Sequence, residues 1–148
     1  NGANTTFNVY SGHLENLKKA LQLAQAAGDS NSVAVIRILT SYAFQNMTDW
    51  YGDIPYSEAL KADDPHGSII YPKYDSQQSI YTDLIAQLKA ANTMIDPTAN
   101  IGPADIMFNG NMMLWKRFCN SLLLIYFLKI REFNDDQEKF AMVKIHHI

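Results

Sequence analysis

The stretch Trp50-Tyr51-Gly52-Asp53-Ile54-Pro55-Tyr56-Ser57-Glu58-Ala59-Leu60 divides the chain in two. No helix runs through Gly52 and Pro55 together. Glycine takes the left-handed conformation that ends a helix, and proline lacks the backbone donor that a helix interior needs. Asp53 and Ser57 can hydrogen-bond nearby backbone groups and so support a turn. Trp50, Tyr51 and Tyr56 surround the break, which reads either as buried corner packing or as a stacking platform.

Upstream of the break, Leu14, Leu17, Leu21 and Ala24 recur at spacings of three and four, predicting a helix over Val9–Ala27 that Gly28 stops. Asp29 to Ser32 make a polar turn, with Asn31 or Ser32 as the cap of a second helix over Val33–Asp49. Ile36, Leu39, Ala43, Met47 and Trp50 are its predicted apolar face. The two helices form an antiparallel hairpin.

Downstream, Gly52 to Tyr74 reads as an irregular loop punctuated by Pro55, Pro65, Gly67 and Pro72. A third helix is expected to start at Asp75, with Asp75 and Gln78 in a capping-box pattern. Its face is Ile80, Leu84, Leu88, Ala91 and Ile95, and Asp96-Pro97 closes it. A loop over Thr98–Gly110 leads to a fourth helix over Met112–Phe133, and a weaker final helix is predicted over Asp135–Ile145. The fourth helix is apolar on nearly every side between Leu122 and Leu128, which implies burial all round. Without the groups that would complete this burial, the chain is expected to expose an apolar patch and to self-associate. No strand pair is evident. The fold class is all-α, built from tetratricopeptide-like helical hairpins with long loops, and residues 1–148 form a single helical domain.

The chain has 148 residues, enough for one domain with a sizeable core. Net charge is −3 and no basic stripe is present, which argues against nucleic acid as a partner. The single cysteine, Cys119, excludes an internal disulfide and a cysteine-based zinc cluster. The polar start, Asn1 to Ser11, has no basic cluster followed by an apolar run, so no signal peptide is expected there, and the whole reads as a piece of a longer protein.

Three blocks carry a resemblance. They are Thr48 to Ala59; Pro72-Lys73-Tyr74-Asp75-Ser76-Gln77-Gln78-Ser79-Ile80-Tyr81, continuing to Leu88-Lys89-Ala90-Ala91; and Asp105 to Phe108, Gly110, then Trp115-Lys116-Arg117-Phe118-Cys119-Asn120-Ser121-Leu122. Their order and spacing resemble the SusD/RagB-like family of Bacteroidetes. The departures are Asn111 for a usual Asp, Cys119 for a common Ala, and Leu123 and Ile125 for common basic residues. The resemblance implies a tetratricopeptide-like scaffold and a surface lipoprotein of the outer membrane. Such a protein binds nutrients, mostly glycans, and sits on a TonB-dependent, SusC-like transporter. The lipid anchor would lie outside this chain. It further implies capture without catalysis and without a cofactor.

Sugar binding uses flat aromatic faces against the C–H face of the ring, with planar polar groups for the hydroxyls. The candidates are Trp50, Tyr51, Tyr56, Tyr71 and Tyr74, with Asp53, Asn46 and Lys73 as polar neighbours. The competing expectation is packing of each ring at the helix end or under the loop. Asp49, Asp53 and Glu58 would need to converge in one cleft for glycoside hydrolysis; Asp49 reads as a helix-end residue and Asp53 as a turn residue, so no catalytic residue is assigned. Asp63, Asp64 and His66 are too few for a calcium loop, and adjacent His146 and His147 point apart on a helix, so no metal site is assigned. Asn120 and Ser121 are expected to bond a neighbouring helix or loop, and Cys119 to be a small core residue. The alternative function is a helical protein-interaction scaffold without its own glycan site.

Overall fold

The computed structural model describes residues 8–62 and 67–145. The Asp63-Asp64-His66 cluster and His146-His147 lie outside the described residues. Val9–Leu14 winds as a wide π-helix and passes directly into α1, Glu15–Ala26. The second helix, α2, spans Ser30–Tyr51. Its cap is Asp29, not Asn31 or Ser32: the Asp29 carboxylate accepts the Ser32 backbone N–H at 3.0 Å and the Ser32 hydroxyl at 2.6 Å. Asn31 instead accepts the backbone N–H of Asp96 at 2.9 Å, tying the start of α2 to the chain beyond α3, Gln77–Met94.

The buried residues of α2 include Ala34, Ile38, Ser41, Phe44 and Thr48. Of the predicted face Met47 is buried too and Leu39 and Ala43 pack partly buried against the core, but the most buried residues are rotated from it and Trp50 is exposed. The reason is geometric: α1 packs on one side of α2 and α3 on another, so apolar residues recur around much of its circumference. By contrast, all five residues predicted for the face of α3 are buried, from Ile80 to Ile95.

Two predictions about the loop between α2 and α3 are corrected. It is not irregular throughout, because β1, Ile54–Pro55, pairs antiparallel with β2, Tyr74–Asp75. Ile54 faces Asp75 and Pro55 faces Tyr74. Nor does Asp75 cap α3. Ser76 does, accepting the Ser79 N–H at 3.3 Å, while the Asp75 carboxylate accepts the Ser57 backbone N–H at 2.6 Å and the Ser57 hydroxyl at 3.0 Å. Gly52 has φ 73° and ψ −118°. These are close to the first central position of a type II′ turn, a region that side-chain-bearing residues avoid.

The last helix, α4, is continuous over Met112–Ile145, where two helices were predicted. No glycine or proline occurs after Gly110, so nothing in the backbone breaks it near Asn134. Asn111 caps it, its side-chain oxygen accepting the N–H groups of Met113 at 3.0 Å and Leu114 at 3.3 Å. Met112, Trp115, Cys119, Leu122 and Tyr126 are its buried stripe. The expected all-round burial of Leu122 to Leu128 is overturned, since Leu124, Ile125, Phe127 and Leu128 are exposed. Among the described residues no helix is long and apolar enough to cross a membrane.

Asp105 organises the turn before α4. Its carboxylate accepts the Trp115 indole N–H at 2.6 Å and the backbone N–H groups of Met107, Phe108 and Gly110 at 2.9, 3.3 and 3.0 Å. Partial burial pushes this carboxyl upward, but the bonds from Trp115 and the three amides outweigh it and hold it below the usual carboxylate value. Gly110, at φ 78°, sits against Asn100 and Gly102. A Cβ there would meet the Asn100 side-chain oxygen at 2.3 Å and the Gly102 nitrogen at 2.5 Å.

Gly110→Ala is therefore expected to cost about 3 kcal/mol or more, combining strain with overpacking. Gly52→Ala, with nothing within 4 Å of the added carbon, bears strain alone and is expected to cost less, roughly 1–3 kcal/mol. Urea denaturation of both variants checks the order. Because the folded-state pKa of Asp105 is depressed, its stabilisation is present above the ordinary value of 3.8 and is lost as pH falls below it. Asp105→Asn is expected to lower stability at neutral pH and to flatten the acid limb of a stability–pH curve.

Candidate ligand-binding face

Helical periodicity places Tyr42, Asn46 and Trp50 one turn apart on the last stretch of α2. All three are exposed, Trp50 at 84%. Together with Tyr51, Ala43 and Met47 they line one wall and floor of an open groove of about 570 Å³, and Val9 and His13 of the opening π-helix line the other. That volume lies within the range of small-ligand sites, roughly 300–1,000 Å³. The lining is apolar and aromatic with few polar groups. The Asn46 side-chain amide donates to the Tyr42 carbonyl at 2.8 Å, which fixes the residue between the two rings. Tyr42 is braced from behind by Phe118, with ring centroids 6.0 Å apart in an edge-on contact. Phe118 in turn meets Trp115 and Phe108, also at 6.0 Å.

The sequence candidates separate into three groups. Trp50 and Tyr51 share the groove. Tyr56 lies inside the fold: its ring meets Phe44 edge-on at 4.7 Å, and its hydroxyl donates to Asp83 at 2.5 Å. Burial, followed by the bond to Asp83 and its charge, keeps that hydroxyl protonated far above the ordinary tyrosine value. Tyr71 and Tyr74 are exposed on the loop and line no part of this groove. Asp53 accepts the Gln77 backbone N–H at 2.9 Å, so it serves the first turn of α3. Lys73 donates its backbone N–H to Glu58 at 2.9 Å, and its ammonium lies 3.8 Å from Asp75.

Each carboxylate weighed for hydrolysis has a structural partner. Asp49 accepts the buried Tyr81 hydroxyl at 2.6 Å and the Gln45 amide at 3.2 Å, while Asp53 and Glu58 hold backbone amides. Cys119 is fully buried and its thiol donates to the Leu88 carbonyl at 3.3 Å. Burial pushes its pKa up, so it is a poor nucleophile. Asn120 reaches across to Asn92 of α3, as expected, but Ser121 bonds the Arg117 carbonyl of its own helix at 3.0 Å. A hydroxyl on the solvent side of a helix has its own preceding turn as its nearest acceptor. Among the described residues no cluster of three or more His, Cys, Asp or Glu side chains could hold a metal ion.

Tyr42 and His13 were not among the sequence candidates. For Tyr42 a signal existed: its four-residue spacing from Asn46, and Asn46's from Trp50, puts the three on one stripe. For His13 there was none, because only the packing of the π-helix against α2 brings it there.

The family model for SusD-like proteins, described as starch-binding and associating with the outer membrane, matches residues 1–147. Among solved structures the chain is similar to a SusD homologue from Bacteroides fragilis NCTC 9343, at 29% identity and TM-score 0.70, covering 81% of this chain and 25% of that one. It is also similar to a Bacteroidetes SusD-like protein, at 36% identity and TM-score 0.67, covering 80% and 21%. A third is a chitin-binding protein, at 32% identity and TM-score 0.63, covering 78% and 24%. The chain thus spans about a quarter of the length of these relatives. No curated protein matches it.

Trp50→Ala is expected to leave stability within about 0.5 kcal/mol of the parent, because an exposed ring holds little packing. Tyr56→Phe is expected to cost about 2 kcal/mol, because it strips a buried bond to a charged acceptor. Paired urea titrations distinguish the two roles.

Proposed function

The chain belongs to the SusD-like family, and on that premise we propose that residues 1–148 form one helical unit of an outer-membrane nutrient-binding protein that captures glycan and passes it to a TonB-dependent, SusC-like transporter. The chain acts by binding and not by catalysis, and needs no cofactor. Surface attachment would be through a lipid anchor outside these residues. The observation that carries this reading is the exposed Tyr42–Asn46–Trp50 stripe, joined by Tyr51 along an open groove. Capture follows from the chemistry of those groups. Pyranose rings present an apolar C–H face to Trp50 and Tyr42, and the intervening Asn46 offers a planar amide for hydroxyls. Tyr42 is held by Phe118 behind it, so that ring loses little conformational freedom on contact. One such platform gives weak binding, with Kd on the order of 1 mM.

A second reading has its own observation. The exposed apolar side of α4, with Leu124 and Leu128, has no evident use in sugar capture and suits a protein partner. A scaffold without its own glycan site would bind through that side instead.

Affinity electrophoresis and calorimetry against a panel of α- and β-linked oligosaccharides test the proposal. The parent chain is expected to bind at least one, and Trp50→Ala and Tyr42→Ala are each expected to weaken it at least tenfold while keeping the helical circular dichroism. A folded parent that binds none would overturn the assignment of a glycan platform to this groove.

A further inference from the structure

A small cavity of about 150 Å³ lies between α1, α2 and α3. Leu21 and Leu84 give it apolar walls, and Arg37, Thr40, Ser41 and Gln87 bring polar groups to it. Arg37 is half-buried there and is in no ion pair among the described residues. Its Nη1 donates to the Gln87 side-chain oxygen at 3.1 Å, while its Nε is closed off from solvent and has no partner. The Asp83 carboxylate is one residue further on: the Gln87 amide donates to it at 3.4 Å, and the Tyr56 hydroxyl donates to it as well. Gln87 thus stands between the two charges. The hydroxyls of Thr40 and Ser41 make no hydrogen bond among the described residues, although Ser41 is buried.

We propose that this cavity is a binding site for a carboxylate group. A guanidinium charge drawn out of water is costly unless a counter-charge meets it, and no described side chain pairs with this one. Gln87 occupies Nη1 only, which leaves the edge formed by Nε and Nη2. That edge meets a planar carboxylate with two parallel N–H···O bonds. The Thr40 and Ser41 hydroxyls can donate to the lone pairs that remain. Water would satisfy the hydroxyls but brings no charge to the guanidinium. The cavity is smaller than the roughly 300–1,000 Å³ of ordinary small-molecule sites, so it suits a carboxylate on a short carbon skeleton or at the end of a side chain. The same chemistry has two sources. One is a free small carboxylate. The other is an Asp or Glu side chain supplied by a longer form of the protein, since the chain spans about a quarter of its relatives' length.

Proton–nitrogen NMR of the 148-residue chain, read at the Arg37 Nε–H and at the backbone amides of Thr40 and Ser41, tests this. Sodium formate and sodium acetate are titrated against sodium chloride at constant ionic strength. Formate and acetate are expected to move these resonances saturably, with Kd on the order of 10 mM, and chloride is not. Arg37→Lys keeps the charge but loses the fork, and is expected to weaken acetate binding at least tenfold at unchanged circular dichroism. Ser41→Ala removes one donor and is expected to weaken it several-fold. Resonances that stay still up to ten times that concentration overturn the proposal, as does a response to chloride equal to that to acetate. In a longer form of the protein, an Arg37 resonance already at the bound position and insensitive to acetate assigns the site to a carboxylate of the protein itself. One that still titrates assigns it to a free carboxylate. One that is neither shifted nor titrates overturns the proposal.

Discussion

Gln77 holds the two sides of the chain's central break together. Its backbone N–H is taken by Asp53 and its side-chain amide donates to the Thr48 carbonyl at 2.6 Å. Thr48, fully buried, donates its hydroxyl to the Gly52 carbonyl at 2.6 Å, and its own carbonyl also receives the Gly52 N–H at 2.8 Å. One residue at the start of α3 thus satisfies the last turn of α2 and is itself satisfied by the turn beyond it. Those are the orphan groups that any helix end must place somewhere. With the two termini fixed, the intervening loop closes on itself: β1 meets β2, Asp75 holds Ser57 and Glu58 holds Lys73.

That closure decides which aromatics are free to work. Tyr56 follows β1 and is drawn inward, where Phe44 and Asp83 take its ring and its hydroxyl. Tyr81 is likewise used within the core, its hydroxyl on Asp49 and its ring edge-on to Tyr126 at 5.4 Å. Trp50 lies two residues beyond the last buried position of α2 and lines the groove beside the π-helical start of the chain. Scaffold and surface chemistry are therefore separated within a few residues of sequence. The polar side chains of the loop are consumed by structure, while the exposed rings stand over a groove.

Much of the fold was legible from periodicity and from the breakers Gly28, Gly52, Pro55 and Pro97. The face of α3 was read correctly because that helix is buried along one dominant stripe. The face of α2 was read only in part, at Met47, Leu39 and Ala43, because a helix packed on two sides loses a single period. Capping assignments slipped by one to three residues where several polar side chains compete, as at Asp29 against Asn31 or Ser32 and at Ser76 against Asp75. The β1–β2 pair is too short to leave a pattern. The continuity of α4 was missed at the polar Asn134-Asp135, which does not break a helix that no glycine or proline interrupts. Of the candidate site, exposed Trp50 and Tyr51 were visible as types. Their separation from Tyr56, Tyr71 and Tyr74 depends on tertiary geometry that no local pattern encodes.

Amide hydrogen exchange at Gln77, Ser57 and Lys73 tests most directly whether this junction closes the loop. The account predicts that all three amides, each bonded to a carboxylate across the loop, exchange slowly and are released together with the amides of α3. Rapid exchange at these three positions, with the α3 amides still protected, would show that the loop is not held by these bonds and would contradict the account.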